Sequence, residues 1–268
     1  MATQSPQTYD PRRFRTTVPY YARYRLGYPR ALIDRVIGIV GLKPGDAVMD
    51  LGCGPGTLAI LFAQAGMAVT AIDPEPEMLE AARAAAGEAG VAIDFRQGSS
   101  FDWPAGIGPF RLVTMGRSFH WMDREATLEA LDPLIARDGA IALFHDEHPH
   151  TAENAWRRVL RDVANKYGRA GSPHVQATER PDYRKHESVL FDSPFNRLEH
   201  AGIFIRREID TDHIVGLAFS LSTTAPQKLG DRAGAFEAEL RAELAKLSPD
   251  GRYTEIAELV ALIARRGG

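Results

Sequence analysis

Residues 48–57, Val48-Met49-Asp50-Leu51-Gly52-Cys53-Gly54-Pro55-Gly56-Thr57, constrain this chain more than any other stretch. A short apolar run stops at three glycines spaced G-x-G-x-G, and a helical apolar pattern, Leu58 to Ala65, begins at once. Glycine accepts left-handed backbone and lets a ligand approach the main chain closely, so a strand, a tight turn and a helix are predicted here. A second apolar run, Ala68 to Ile72, ends in Asp73. A carboxylate at that strand end can accept hydrogen bonds from a ribose.

The alternation continues. Glu75 to Glu88 predicts an Ala-rich helix, Ala92 to Arg96 a third strand and Leu112 to Met115 a fourth. Arg124 to Ala136 predicts a helix and Ala140 to Phe144 a fifth strand. Short apolar strands alternating with longer helices imply an α/β fold, doubly wound, with a mostly parallel sheet and right-handed crossovers. Upstream, residues 1–13 are polar and predicted to be flexible, and residues 14–40 to form a helical cap, with Pro29 opening its second helix. After Asp146 the rhythm changes. Thr151 to Tyr167 predicts a helix, and residues 169–194, rich in polar residues, Gly and Pro, predict a loop over the site. Glu199 to Ile209 predicts a strand, Asp212 to Leu221 and Phe236 to Leu247 helices, and Tyr253 to Ala264 reads as strand or helix. One domain over residues 14–268 is expected: the cap (14–40), a cofactor-binding half (41–150), a lid or substrate cap (151–197) and C-terminal strands and helices (198–268).

Two details narrow the ligand. The spacing is not the G-x-G-x-x-G of dinucleotide sites. Asp50 stands two residues before the first glycine, where it would repel a pyrophosphate but attract a sulfonium or an ammonium. Composition narrows the partner. The net charge is −3 and no basic patch dominates, although arginines are dense from Arg12 to Arg30. That argues against a nucleic-acid partner, which needs clustered cations to neutralise phosphates. The single cysteine, Cys53, excludes an intramolecular disulfide. No run approaches the ~20 apolar residues of a membrane span, and the N-terminus lacks the apolar core of a signal peptide. A cytoplasmic protein is expected, monomer or homodimer, with a small-molecule partner, no nucleic acid and no membrane.

The segments DLGCGPGT and AIDPEPEML resemble the first two cofactor motifs of the class I S-adenosylmethionine-dependent methyltransferases, and the likeness covers most of residues 14–146. It implies a seven-stranded mixed sheet in the order 3-2-1-4-5-7-6 with the seventh strand antiparallel. It also implies S-adenosylmethionine as cofactor and S-adenosylhomocysteine as product. Gly52, Gly54 and Gly56 would line the methionine part, which Asp50 would help to hold. Asp73 would take both ribose hydroxyls, and Pro74 and Met78 would flank the adenine. Ser99, Ser100 and Phe101 align with the adenine-edge motif, with Ser99 where many relatives carry an acid. Arg117-Ser118-Phe119-His120-Trp121 resembles the A-F-H-W segment of a small-molecule branch that includes relatives of trans-aconitate methyltransferase. The opening Tyr21…Arg25-Leu26-Gly27-Tyr28-Pro29 resembles that branch's Y…R-P-G-Y-P, with Leu26 replacing a proline; Tyr21 and Arg25 would reach the cofactor carboxylate.

The expected function is methyl transfer to a small molecule, at oxygen first, nitrogen second and carbon third. A non-catalytic cofactor-binding or partner-binding protein, or a nicotinamide-dependent oxidoreductase, is the alternative. His120 is the first base candidate, because imidazole titrates near neutral pH; packing alone is its other reading. Phe119 and Trp121 would wall the substrate pocket. Arg117 could grip a substrate carboxylate with its fork or sit solvated at the surface. His145 could line the acceptor pocket. The run His145 to His150 has metal-ligand residue types, but a strand end followed by proline does not make them converge, so no metal is expected. Met115, Met122 and the aromatics Trp156, Tyr167, Tyr183, Phe191, Phe195, Phe204 and Phe219 could build an apolar acceptor pocket or the core.

Overall fold

A computed structural model describes residues 20, 23–102, 106–169, 171–172, 175–176 and 180–267. The glycine-rich turn joins β1 (Ala47–Leu51) to α2 (Thr57–Gln64), after α1 (Arg30–Val40). Then follow β2 (Ala68–Asp73), α3 (Pro76–Glu88), β3 (Asp94–Gln97), β4 (Phe110–Gly116), α4 (Arg124–Leu131) and β5 (Ile135–Glu147). The later part holds α5 (Ala155–Lys166), α6 (His186–Phe191), β6 (Arg197–Asp210), α7 (Thr211–Phe219), α8 (Pro226–Leu229), α9 (Ala233–Leu247) and β7 (Arg252–Arg265).

All seven strands form one sheet in the order β3-β2-β1-β4-β5-β7-β6. β1 through β5 pair in parallel. β7 runs antiparallel between β5 and β6. The chain steps outward from β1 to β3 and then returns to β4, so the carboxyl ends of β1 and β4 flank the crevice where such sheets bind ligands. Helices cover both faces. Leu32, Ile33 and Val36 of α1 and Leu58 and Phe62 of α2 pack on one face, and Leu128 and Leu131 of α4 with Val189 and Leu190 of α6 on the other. Trp156 of α5, Ile214 and Phe219 of α7, and Phe236 and Leu240 of α9 form a third apolar cluster with Tyr253 of β7.

Several expectations move. The helix predicted to Ala136 stops at Leu131, because Pro133 lacks an amide hydrogen and turns Asp132–Leu134 into a 3₁₀ turn. β5 therefore starts at Ile135 and runs on through Glu147. The tail left open between strand and helix is the long strand β7. The segment expected as a helical or loop lid contains α6, while residues 170, 173–174 and 177–179 lie outside the described residues. So do residues 1–19, 21 and 22, and with them most of the first predicted cap helix; Pro29 precedes α1 as expected.

Candidate active site

Each glycine of the turn has positive φ: Gly52 at 68°, Gly54 at 53° and Gly56 at 82°. A side chain on Gly52 would put its Cβ 2.6 Å from the Ser118 Cβ, so this glycine lets the loops after β1 and β4 touch. Over Gly54 there is open space, and its amide faces the carboxylate of Asp73. Gly56 caps α2 and packs on Ala82 of α3.

Asp73 is buried at the end of β2. Its Oδ2 accepts the Gly54 amide at 2.8 Å and its Oδ1 accepts the Glu75 amide at 2.9 Å. Burial pushes its pKa up, the two amides pull against that, and the net shift is upward. Each oxygen has lone-pair capacity left for a further donor. Asp50 is more deeply enclosed. Its Oδ2 accepts the Ala59 amide at 3.1 Å, and its Oδ1 lies 2.9 Å from the Thr114 hydroxyl. Burial raises its pKa to about 7, opposed by those two contacts and reinforced by Asp73.

A cavity of about 400 Å³ opens at this strand edge. At one end Gly52, Gly54, Asp73, Pro74 and Met78 line it, with Ser99, Ser100 and Phe101 alongside. Arg25, from the segment before α1, also lines it. At the other end it is lined by Arg117, Phe119, His120, Trp121 and His145. Asp50 and Gly56 do not line it. Asp50 borders a smaller cavity of about 30 Å³ that shares Gly52, Gly54 and Arg117 with the larger one. Tyr21 lies outside the described residues.

Arg117 departs from both of its readings. It is neither a solvated surface residue nor a grip waiting for substrate. Its Nε meets Asp146 Oδ1 at 2.5 Å, one Nη donates to the Leu26 carbonyl at 2.9 Å, and the guanidinium lies 4.8 Å from the Tyr28 ring centre. Its φ of 56° makes it the one non-glycine with positive φ among the described residues. Burial alone would raise the pKa of Asp146, but Arg117, Arg25 and His148 hold it at about 2. Arg117 thus ties the loop after β4 to β5 and to the segment before α1. A cation already neutralised this way is a weak anchor for a substrate anion.

The histidines after β5 diverge. His145 Nε2 lies 3.2 Å from Glu147, whereas His148 Nε2 lies 3.0 Å from the buried Glu255 of β7. No described group of three or more His, Cys, Asp or Glu is arranged to hold a metal. None of the seven aromatics suggested for an acceptor pocket lines the cavity. Trp156, Phe195 and Phe219 are core, and Phe191 and Phe204 are exposed. Met115 and Met122 do line it. Sequence reasoning missed Glu75, Ser118, Leu143, His186 and Ser222 as lining residues. Glu75 and Ser118 sit inside segments already singled out, so adjacency to the motif was the available signal. His186 and Ser222 carry no local signal.

A family model described as a methyltransferase domain matches residues 48–139. Over these residues the chain is similar to the class I S-adenosylmethionine-dependent methyltransferases. The methyltransferase domain takes in the glycine turn, Asp50, Asp73 and residues 117–121; His145, Asp146 and everything from α5 onward lie beyond the match. An uncharacterised methyltransferase of Mycobacterium tuberculosis is 27% identical over 160 residues, 60% of each chain. A ubiquinone biosynthesis O-methyltransferase of Xanthomonas campestris pv. campestris is 38% identical over 113 residues, 41% of this chain and 47% of that one. The chain thus spans little more than half the length of the curated relatives it matches. Among solved structures, a candidate type II methyltransferase from Anaeromyxobacter dehalogenans superposes with a TM-score of 0.63 at 19% identity, covering 91% of this chain and 98% of that one. The YcgJ protein of Bacillus subtilis does so with 0.52 at 19% identity, covering 89% and 100%. At such identities the likeness is one of fold, the seven-stranded methyltransferase sheet.

Proposed function

We propose that this protein transfers the methyl group of S-adenosylmethionine to an oxygen of a small-molecule acceptor. One observation carries the reading: Asp73, aligned by two backbone amides, shares a single cavity with the open backbone of Gly54 and with His120. The residues fit the cofactor. Asp73 would accept from both ribose hydroxyls, Pro74 and Met78 would border the adenine, and the unfilled space over Gly54 would admit the methionine part. Arg25, which lines the cavity, would reach the cofactor carboxylate, and Ser99, Ser100 and Phe101 would follow the adenine edge.

Bound there, S-adenosylmethionine supplies a methyl group on a sulfonium, already a good leaving group. The chain's own work is to align and to exclude water, which can contribute roughly 7–11 kcal/mol. Phe119, Trp121, Met122 and Leu143 wall the acceptor end. His120, with its ring centre 4.8 Å from that of Trp121, takes the proton of an acceptor hydroxyl. Oxygen as the methylated atom draws support from the O-methyltransferase relative, and the branch that includes trans-aconitate methyltransferase from the residues around His120. Among the described residues no helix is long and apolar enough to cross a membrane. The buried free thiol of Cys53, its pKa raised by burial, suits a reducing compartment, so the reading includes a cytoplasmic location.

Calorimetry with S-adenosylmethionine and S-adenosylhomocysteine tests the reading. Micromolar binding of both, lost in Asp73→Ala while the fold is kept, is the expected result. Binding of neither to the wild-type protein sinks it.

A further inference from the structure

His186 is the first residue of α6, far in sequence from every motif, yet it lines the acceptor end of the cavity. Its ring centre lies 5.2 Å from that of Phe119. Its Nδ1 lies 3.3 Å from an Nη of Arg124, at the start of α4. A guanidinium has donors only, so Nδ1 must accept, and the proton of the neutral ring must sit on Nε2. Arg124 is well placed to hold this arrangement. The same Nη donates to the Arg184 carbonyl at 2.6 Å, and the guanidinium lies 5.2 Å from the Tyr183 ring centre. Arg184 in turn pairs with Glu125 at 2.7 Å and with Asp192. The segment that delivers His186 is thus pinned to the start of α4 from both sides. Burial, Arg124 and His145 push the His186 pKa down to about 4, against a small opposing effect of Glu187, so the ring is uncharged near neutral pH. No described residue accepts from Nε2.

We propose that His186 is a specificity-determining hydrogen-bond donor for the acceptor, presenting Nε2–H to an oxygen that has no proton to lose. A ring whose other nitrogen is occupied by a cation cannot serve as the base, so its role is complementary to that of His120. Two imidazoles of opposite role, set among Phe119, Trp121, Met122 and Leu143, fit a flat apolar acceptor bearing two neighbouring oxygens. One is a hydroxyl that is methylated, and the other is a carboxylate or carbonyl that receives the Nε2 hydrogen. This inference rests on the methyl-transfer reading for its substrate class, but the state of the His186 ring does not.

Long-range proton–nitrogen spectra of the imidazoles, with salicylate and phenol as probes, test it. Binding of S-adenosylhomocysteine is measured first and judges the methyl-transfer reading separately; the probes are titrated with and without it. The expected result is a His186 ring protonated at Nε2 and bare at Nδ1 from pH 8 to about pH 5. Salicylate should move the Nε2 signal and bind about tenfold more tightly than phenol, the worth of one good hydrogen bond. His186→Leu should abolish that preference, and His186→Gln, which retains an N–H, should restore part of it. A proton on Nδ1 in the wild-type protein overturns the proposal. So does an Nε2 signal unmoved by salicylate, or equal preference in the wild-type and His186→Leu proteins.

Discussion

Asp73 receives two backbone amides, whereas Asp50 receives one amide and shares a hydroxyl. The Thr114 hydroxyl has one hydrogen but lies near two acceptors, Asp50 Oδ1 at 2.9 Å and the Met49 carbonyl at 3.3 Å. A protonated Asp50 satisfies all three groups: it donates to Thr114, and Thr114 donates to Met49. With a folded pKa of about 7 against ~3.9 unfolded, the folded state binds the extra proton between those values. The contribution of Asp50 to stability is therefore full below about pH 4 and is lost as pH rises towards 7. Asp50→Asn, which mimics the protonated form, should raise the melting temperature at pH 8 by roughly 2–4 °C for each 1 kcal/mol recovered. It should also flatten the pH dependence between 4 and 7. A melting temperature at pH 8 that falls in the variant would refute this account of Asp50. His120 belongs to the same scale. His120→Ala should lower kcat by about 10²–10⁴ and leave S-adenosylhomocysteine affinity unchanged in calorimetry. A matching loss of cofactor affinity would mean that the ring holds the cofactor rather than the proton.

Among the elements, α7 shows how a remote helix supports the site. A Cβ on Gly216 would stand 2.4 Å from the ring of Tyr24, which also packs edge-on against His213 of the same helix. Tyr24 precedes Arg25 and Leu26, which line the cavity and hold Arg117 respectively. Gly216→Ala gains about 1 kcal/mol of helix propensity but suffers about 1–3 kcal/mol of overpacking, so a net loss of thermal stability is expected. In a Tyr24→Ala background the clash is gone, and the same substitution should become stabilising. Additive effects in this double-mutant cycle would refute the coupling. β1, β2 and β4 were legible because each is a short apolar run punctuated by glycine, proline or an acid, and β5 through its apolar centre, Ala140 to Phe144. β7 was not, because it is an inner strand buried along most of its length, and an apolar run covered on both faces has no alternation to separate it from a buried helix. The site divides in the same way. Gly52, Gly54 and Asp73 could be read because neighbours in sequence make their geometry. His186 and the true partners of Arg117 could not, because they meet only once α4, α6, β5 and the segment before α1 have been assembled.

Across the whole molecule, a line of polar groups runs from the cavity to the outer edge of the sheet. Arg117 pairs with Asp146, His148 lies 3.5 Å from Asp146 and 3.0 Å from Glu255, and Glu255 binds Arg207 at 2.7 Å. Arg207 then lies 2.9 Å from His213 of α7. Burial raises the pKa of Glu255, but its bond to His148 and the charge of Arg207 win, and the net shift is downward. Asp146 is lowered as well. Depressed carboxylates act oppositely to Asp50. Their contribution is present above the ordinary carboxylate pKa, about 4, and is lost as pH falls through their lowered pKa values, about 2 for Asp146. Acid unfolding should therefore set in steeply below about pH 4. Glu255→Ala, which strands His148 and Arg207, should lower urea-unfolding stability at pH 7 by about 3–5 kcal/mol and make the acid transition shallower. A neutral effect would mean that the line contributes nothing to stability. The antiparallel β7 also sets a timetable. Among the described residues β6 pairs with no strand but β7, which is synthesised after α7, α8 and α9. While the chain emerges from the ribosome, the parallel strands β1 to β5 can settle together, whereas β6 remains an open edge of backbone donors and acceptors. A newborn chain thus has its glycine turn already made while β6 still lacks the strand it pairs with. That interval is the one in which a chaperone would have most to do.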